Sequence, residues 1–231
     1  MRHTTHPHET ISELLRSVPL FNALEQQHLD LLASSCELIK LDRGENIFLR
    51  GDTMHSFYYL QSGCVKIYAM SKEGAEKVVH IAAPGESFGE AAMFLDSPAP
   101  VGAQAVHESI VVELPKAVID KLIEDEPRIA HLMLAGMSMR MHRLIQEIKA
   151  MALQSASERV VGYLLQLCSD QKDTQNIRLP ARKVTIASLL NLTPETLSRT
   201  LAKLERQGLI FVNATEIHIP DCAKLRSATL I

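Results

Sequence analysis

The segment from Thr193 to Gly208 constrains the fold of this chain more than any other part. Thr193 is a favoured helix N-cap, Pro194 suits the first helical position and Gly208 suits the residue that ends a helix. Three leucines, spaced four and three residues apart, share one stripe: Leu197, Leu201 and Leu204. The polar residues Glu195, Ser198, Arg199 and Lys203 point elsewhere. We therefore predict a capped amphipathic helix with an exposed polar face.

The residues on either side of this helix predict a larger module. A short helix is expected from Thr185, as its cap, to Leu190, and Asn191 suits the turn because Asn tolerates the left-handed conformation. Two short helices joined this tightly are typical of a helix-turn-helix. After Gly208, the β-prone runs 209–212 and 217–219 predict a hairpin, or wing. The chain is thus predicted to end in a winged helix-turn-helix.

The distribution of charge agrees with this interpretation. Between Arg178 and Ile210 there are six basic and two acidic residues, whereas the whole chain carries a net charge of -3. Such asymmetry is typical of a nucleic-acid-binding end attached to an acidic body, so we expect double-stranded DNA as a partner. The alternative is an ordinary solvated helix face. The candidate DNA-binding residues are Thr193, Glu195, Thr196, Ser198, Arg199 and Lys203.

Length and composition limit the number of domains and the class of protein that the chain can form. A chain of 231 residues with 46% hydrophobic content can bury one sizeable core and one small one, which predicts two domains. No apolar run approaches the roughly 18 residues that a membrane span needs, and no signal-peptide core follows Met1. We expect a cytoplasmic protein without membrane contacts. Its four cysteines lack Cys-x-x-Cys spacing and are expected to be reduced structural thiols.

The region from Cys36 to Leu114 predicts an antiparallel β-sandwich or jelly roll. Short β-prone runs (37–41, 57–60, 65–68 and 77–81) alternate with turn glycines at 44, 51, 63, 74 and 85. Regular turns of this kind are typical of antiparallel sheets. Short helices are expected ahead of the sheets, from Ile11 to Ser35. The fold class is therefore α+β.

A long helix is predicted from about Pro127 to about Leu153. Its apolar residues follow spacings of three and four, as in a coiled-coil seam: Leu134, Met137, Met141, Leu144, Ile148 and Met151. We expect this seam to form a homodimer interface; packing on the β domain is the alternative. Ser155 to Glu158 matches a capping box that opens a new helix through Cys168. The expected domains are 1–126 (β domain), 127–154 (dimerisation helix) and 155–231 (DNA-binding domain).

This order of elements resembles the Crp/Fnr family of bacterial transcription regulators over nearly the whole chain. The segment from Pro84 to Glu90 is similar to the family's effector loop, and Glu195-x-x-Ser198-Arg199 is similar to its Fnr-type reading helix. The stretches 57–68, 90–96 and 159–165 look most like the dissimilatory nitrate respiration regulators, which respond to nitric oxide through heme. The resemblance implies an activator that works with RNA polymerase at inverted repeats of a TTGAT-like half-site.

The same resemblance places the effector pocket at Gly85, Phe88, Gly89 and Glu90. Cyclic-nucleotide binders of the family have an Arg-Ser pair where this chain has Pro100-Val101, and no Lys or Arg lies between Lys77 and Lys116. Cyclic AMP is therefore not expected. Glu90 either contacts a ribose or orders the loop.

The sequence also bears on two other cofactors of the family, an iron–sulfur cluster and heme. No cysteine precedes Cys36, so the iron–sulfur cluster of oxygen sensors is not expected. Heme would use apolar residues of the long helix and one axial histidine. The candidate residues are Met133, Met137 and Met141 for the lining, and His80, His107, His131 and His142 for ligation.

Enzyme motifs are absent from the sequence. There is no Gly-x-Ser-x-Gly elbow, no His-Glu-x-x-His, no Walker loop and no Rossmann glycine pattern. We therefore do not expect an enzyme. Two alternatives stay open: a cyclic-nucleotide-responsive regulator, and a cupin-type jelly-roll metal enzyme with an appended helical domain.

Overall fold

The computed structural model describes residues 8–18, 21–22, 24–168 and 174–227. The chain divides into two compact units, and the boundary falls between Arg140 and Met141. The elements that begin in the first unit are, in order, α1 (His8–Ser17), α2 (Gln26–Ser35), β1 (Glu37–Leu41), β2 (Asn46–Phe48), β3 (Ser56–Ser62), β4 (Val65–Met70), β5 (Glu76–Ala82), β6 (Ser87–Phe88), α3 (Glu90–Phe94), β7 (Gly102–Ala105), β8 (Ser109–Pro115), α4 (Lys116–Asp125) and α5 (Arg128–Leu153).

Two antiparallel sheets of four strands form the body of the first unit, as the turn pattern predicts. One sheet has the order β1-β8-β3-β6 and the other has the order β2-β7-β4-β5. In the first sheet Phe57 of β3 lies opposite Leu114 of β8, and both side chains are almost completely buried. Alternating inward-facing residues such as these supply the core between the sheets. The predicted antiparallel β domain is confirmed.

Helices that precede the first strand and follow the last strand in the chain complete this core. Leu15 of α1 and Leu29 and Leu32 of α2 are fully buried, which agrees with the predicted helical prelude. Helix α4, which buries Ile119 and Leu122 directly after β8, was not predicted from the sequence. An amphipathic helix of only ten residues is a weak sequence signal, and its apolar face is recognisable mainly by what it packs against.

The long helix α5 spans Arg128–Leu153, within one residue of the prediction. Ile129 is the buried apolar residue of this helix, and all six predicted seam residues are between 42% and 64% exposed in the single chain. No helix among the described residues is long and apolar enough to cross a membrane.

The second unit begins within α5 and continues through α6 (Ala156–Gln166), β9 (Gln175–Arg178), α7 (Lys183–Leu189), α8 (Pro194–Arg206), β10 (Phe211–Asn213), β11 (Glu216–Ile219) and α9 (Cys222–Ser227). Strands β10 and β11 form the predicted wing, and β9 adds a third antiparallel strand that the sequence analysis missed. The capping box at α6 is present: Glu158 N donates to Ser155 Oγ at 3.3 Å, and Ser155 N donates to Glu158 Oε2 at 2.6 Å.

Two helix boundaries differ from the sequence predictions. Helix α7 starts at Lys183 with Arg182 at the N-cap position, so Thr185 lies inside the first turn and does not cap the helix. No side-chain cap bond forms at Arg182. Burial of Ile186 and Ala187 decides where this short helix lies, because packing outweighs capping chemistry. Helix α6 ends at Gln166, two residues before the predicted Cys168.

Candidate nucleic-acid interface and effector loop

Helix α8 is built as its sequence predicts. Thr196 N donates to the Oγ1 of the N-cap residue Thr193 at 3.2 Å, and Pro194 occupies the first helical position. At the other end Gly208 adopts a φ of 69°, a left-handed conformation that glycine adopts without steric cost. The helix therefore has fixed ends, and each side chain along it has a defined direction.

One face of α8 is buried and the opposite face is exposed. Leu197, Leu201 and Leu204 are at most 4% exposed, and Thr200 joins them on the buried side. This side packs against α6 and α7. The side chains on the opposite, exposed face are Glu195, Ser198, Arg199, Ala202, Lys203 and Arg206. A helix exposed in this way can lie in a major groove.

The turn between α7 and α8 holds the second helix at its angle to the first. Asn191 has a φ of 55°, in the left-handed region that Asn tolerates, as predicted. The backbone closes around it, since Leu192 N donates to Ala187 O at 2.9 Å. Two helices of 7 and 13 residues joined by this turn form the helix-turn-helix.

A small hydrogen-bond network orders the first turn of α8. Thr193 Oγ1 donates to Thr196 Oγ1 at 3.0 Å, and Arg199 Nη2 donates to the same Thr196 oxygen at 3.3 Å. The pKa of Glu195 is lowered by hydrogen bonds from its own backbone and from Thr193, and by the charge of Arg199. At neutral pH Glu195 is therefore an ionised acceptor, and Arg199 beside it is a bidentate donor. In DNA-binding proteins generally, a carboxylate can accept a hydrogen bond from a base amino group, and a guanidinium group can donate two hydrogen bonds to guanine.

All six predicted DNA-binding residues lie on α8 or at its cap, and five of them are exposed. Thr196 is half-buried, and its hydroxyl is held between Thr193 and Arg199, so it orients Arg199. Two exposed apolar side chains near α8 were not predicted: Val184 on α7 and Phe211 on β10, which are 63% and 52% exposed. Phe211 stacks on His218 with ring centroids 6.0 Å apart.

The predicted effector loop, Pro84 to Glu90, is hydrogen-bonded to strand β3. Gly85 N donates to Leu60 O at 2.8 Å, and Leu60 N donates to Glu86 O at 2.9 Å. Gly89 has a φ of 94° and is the N-cap residue of α3, which begins at Glu90 as expected. No side chain caps α3.

Phe88 of this loop lies in the hydrophobic core. It is 1% exposed and stacks on Tyr58 with centroids 5.7 Å apart, and Phe48 packs beside both rings. A side chain at Gly89 would reach ordinary contact distance, 3.4–3.6 Å, from Met54, Phe48 and Tyr58. These three residues also line an open pocket of about 330 Å³, together with Ile47, Asp52, Thr53, His55, Ser56 and Glu113. Such a volume is at the lower end for small-molecule sites.

Two side-chain contacts at the loop were not predicted. His80 Nε2 lies 2.8 Å from Glu86 Oε2, which also accepts a hydrogen bond from Ala83 N. Arg140 of α5 donates from Nη1 to the backbone oxygen of Ser87 at 2.9 Å. This contact brings a guanidinium group to a loop whose own sequence has no Lys or Arg. Sequence could not find it, because 53 residues separate the two partners.

The histidine and methionine residues considered for heme lie in different environments. His131 and His142 are exposed on α5, whereas the Nε2 of His80 is engaged by Glu86. Met133 is half-buried against the core, and Met137 and Met141 are exposed. Among the described residues no group of three or more His, Cys, Asp or Glu side chains is arranged to hold a metal ion.

In comparisons with known proteins, both the β domain and the helix-turn-helix domain match known domain families. Residues 38–126 match the cyclic nucleotide-binding domain family, and residues 158–228 match the Crp-like helix-turn-helix domain family. The nitrogen fixation regulation protein FixK of Rhizobium meliloti is 32% identical over 80% of this chain and 83% of FixK. The transcriptional activator Anr of Pseudomonas aeruginosa is 29% identical over 80% of this chain and 77% of Anr. The crystal structure of DNR from Pseudomonas aeruginosa is 34% identical, with a TM-score of 0.52, over 96% of this chain and 99% of DNR.

Proposed function

Because the chain belongs to the Crp/Fnr family of transcription regulators, we propose that it binds a specific DNA sequence as a homodimer and responds there to a small signal. The observation that carries this proposal is the exposed polar face of the capped helix α8, with Glu195 and Arg199 side by side. Ser198 and Lys203 extend the same face. Arg199 reads a guanine, Glu195 accepts from a cytosine or adenine amino group, and Lys203 neutralises phosphate charge.

The relatives are regulators, so the chain is not an enzyme, and the cupin alternative is dismissed. Crp/Fnr regulators bind DNA as dimers and work with RNA polymerase. The names of FixK and Anr, a regulation protein and a transcriptional activator, support an activating role for this chain as well. Its place of action is then the cytoplasm, where the DNA is.

The dimer and its DNA site form one part of the proposal. Six apolar side chains along one stripe of α5 stay exposed in the single chain, which favours a second copy as their partner. A two-fold dimer presents two α8 helices to two half-sites, so the operator is an inverted repeat. The Fnr-type motif Glu195-x-x-Ser198-Arg199 favours TTGAT-like half-sites. In this scheme residues 1–126 sense, 127–154 dimerise and 155–231 bind DNA.

The signal is the second part of the proposal: heme that binds nitric oxide. The resemblance to the nitrate respiration regulators supports it, as do the donors present, because α5 carries exposed imidazoles at His131 and His142 beside the methionines 133, 137 and 141. When bound, heme supplies an iron that coordinates nitric oxide. Cyclic AMP is the competing effector, since the sensing domain matches the cyclic nucleotide-binding family. Pro100-Val101 stands against it, because this segment supplies no Lys or Arg to meet a phosphate, and the guanidinium of Arg140 at the loop is hydrogen-bonded to the Ser87 carbonyl.

The protein can transmit the signal through the contact between the loop and α5. Arg140 joins α5 to the Ser87 carbonyl, so a ligand that shifts the loop also changes the position or packing of α5. A ligand acts only if it binds two arrangements of this helix with different affinity. Arg140 is therefore the positioning residue that couples sensing to dimer geometry.

An anaerobic titration tests both parts together. We expect added heme to give a Soret band that shifts with nitric oxide, and operator binding to tighten at the same time. Cyclic AMP should change neither measurement. A protein that stays spectrally featureless with heme and binds its operator only with cyclic AMP would refute the heme proposal. Failure to select an inverted repeat from random duplexes, with any effector, would refute the DNA proposal itself.

A variant of Arg140 tests separately whether this residue couples heme binding to operator binding. The Arg140→Ala variant should bind heme with a normal spectrum but lose most of the tightening of operator binding, about tenfold for a coupling of typical size. Arg143→Ala, on the same helix, serves as the matched control. Equal tightening in Arg140→Ala and the control would show that the signal takes another route.

A further inference from the structure

The fold brings together two cysteines that are distant in sequence. Cys168 follows α6 and Cys222 is the first residue of α9, and their sulfur atoms lie 3.8 Å apart. The Cys222 thiol donates to the Cys168 sulfur, and the Cys168 thiol donates to Leu164 O at 3.3 Å. Both side chains are half-buried, so small solutes can reach them. The sulfurs need to approach by less than 2 Å to reach the roughly 2.05 Å of a disulfide bond.

The surroundings of Cys168 lower the reactivity of its thiol at neutral pH. Burial, and then the neighbouring Cys222 thiol, raise the pKa of Cys168 to about 11, while the guanidinium of Arg226 acts in the opposite direction. At neutral pH Cys168 is therefore almost entirely protonated. Since the thiolate is the reactive form, attack by the Cys168 sulfur is slow at neutral pH and becomes faster as the pH rises.

The position of the pair in the chain gives a cross-link a structural consequence. The residues between Cys168 and Cys222 contain β9, α7, α8, β10 and β11, which are the whole helix-turn-helix and its wing. The two ends of this segment already meet nearby, since Thr174 Oγ1 donates to Pro220 O at 2.9 Å. Helix α6 packs against both α8 and α9. A disulfide bond between the cysteines would therefore join the two ends of the segment that forms the helix-turn-helix and its wing.

We propose that Cys168 and Cys222 are an oxidation-sensitive dithiol whose disulfide cross-links the DNA-binding module and stabilises it against unfolding. The oxidant is hydrogen peroxide. One thiolate attacks a peroxide oxygen, the O–O bond breaks, and a sulfenic acid and water result once the proton is returned. The second thiol then attacks the sulfenic sulfur, forms the S–S bond and releases a second water. The two sulfurs together lose two electrons, and one peroxide is reduced to two waters.

The two remaining cysteines provide an internal comparison. Cys36 and Cys64 are 6% and 5% exposed in the β domain, and burial raises the pKa of their thiols to about 12 and about 11. These two thiols are buried from solvent, whereas Cys168 and Cys222 are half-buried. Peroxide should therefore act on the pair and leave these two thiols intact.

The experiment uses the full chain, first reduced and then treated with hydrogen peroxide. After free thiols are blocked and the protein is digested without reductant, mass spectrometry should find one peptide pair joined through Cys168 and Cys222. Cys36 and Cys64 should be recovered as free thiols. The unfolding transition of the DNA-binding unit should rise by about 10 °C or more, because the cross-link restricts the unfolded chain. Dithiothreitol should reverse both changes.

Cys222→Ser and Cys168→Ser should abolish the cross-link and the rise in Tm. If either variant fails to fold, the oxidised and reduced forms of the unaltered protein still provide the comparison. Overoxidation of single thiols without a linked peptide, or a linked peptide without a rise in Tm, would overturn the proposal. A bond between two copies of the chain would do so too. None of these results depends on the effector or the operator.

Discussion

At the scale of single residues, the direction in which a side chain points matters as much as its chemical identity. Arg199 is one of several exposed basic residues near α8, but its guanidinium is held by the Thr196 hydroxyl, which Thr193 in turn fixes. Glu195 and Arg199 lie one turn apart, so their opposite charges support each other. An arginine held in this way loses less side-chain entropy on binding a base than a free one.

The Arg199→Ala variant tests this arrangement. It should lose about 1–3 kcal/mol of operator binding and no longer distinguish the contacted guanine from other bases, since the bidentate contact is removed. Binding of matched and mismatched duplexes is measured at fixed salt. Arg206→Ala, at the exposed end of the same helix, is the control and should weaken all duplexes to a similar extent. Unchanged discrimination in Arg199→Ala would remove Arg199 from the reading site.

At the scale of elements, α5 has an apolar stripe without a partner in the single chain. Met141 and Leu144, near its middle, are 61% and 48% exposed. Leu144→Glu would bury an uncompensated charge in a two-fold seam and should cost about 3–5 kcal/mol of dimer stability. Sedimentation at micromolar concentration should then show monomers, and operator binding should fall.

Met139 offers the matched control for this prediction. It is 67% exposed and lies outside the seam spacing, so Met139→Glu should leave the dimer intact. A Leu144→Glu protein as dimeric as Met139→Glu would mean that the stripe has another role.

The capping box of α6 makes part of the stability depend on pH. Hydrogen bonds from Ser155, first from its side chain and then from its backbone, lower the pKa of Glu158 below its ordinary value of 4.5. A lowered pKa in the folded state adds stability above pH 4.5, and this stability is lost as the pH falls through the folded value. Glu158→Gln should therefore lower Tm at neutral pH, and the difference from the unaltered protein should shrink below pH 4.5 and close as the pH falls through the lowered pKa of Glu158. A difference that stays constant across this range would contradict the assignment.

At the scale of the whole molecule, two-fold symmetry dictates how the half-sites are spaced. Two recognition helices of one dimer reach major grooves about one helical turn apart. Inserting about five base pairs between the half-sites turns one groove to the opposite side, so affinity should fall toward that of a single half-site. Retardation assays on a series of spacers measure this effect. Equal affinity for all spacers would indicate monomers that bind independently.

Local sequence patterns determined much of this protein. Several features depend only on residues a few positions apart, so local chemistry decides them. These features are the caps of α6 and α8, the left-handed conformation of Asn191, the turn glycines and the bounds of α5. The candidate reading face on α8 belongs to this group, because its residues share a single helix.

Tertiary structure alone decided the contacts between distant segments. Strand β9 exists because β11 pairs with it, and α7 starts where Ile186 and Ala187 can be buried, not at the better cap. The contact of Arg140 with Ser87 and that of Cys168 with Cys222 join residues 53 and 54 positions apart. No periodicity or cap encodes such pairs, because they depend on how complete elements pack, and packing is a property of the folded chain.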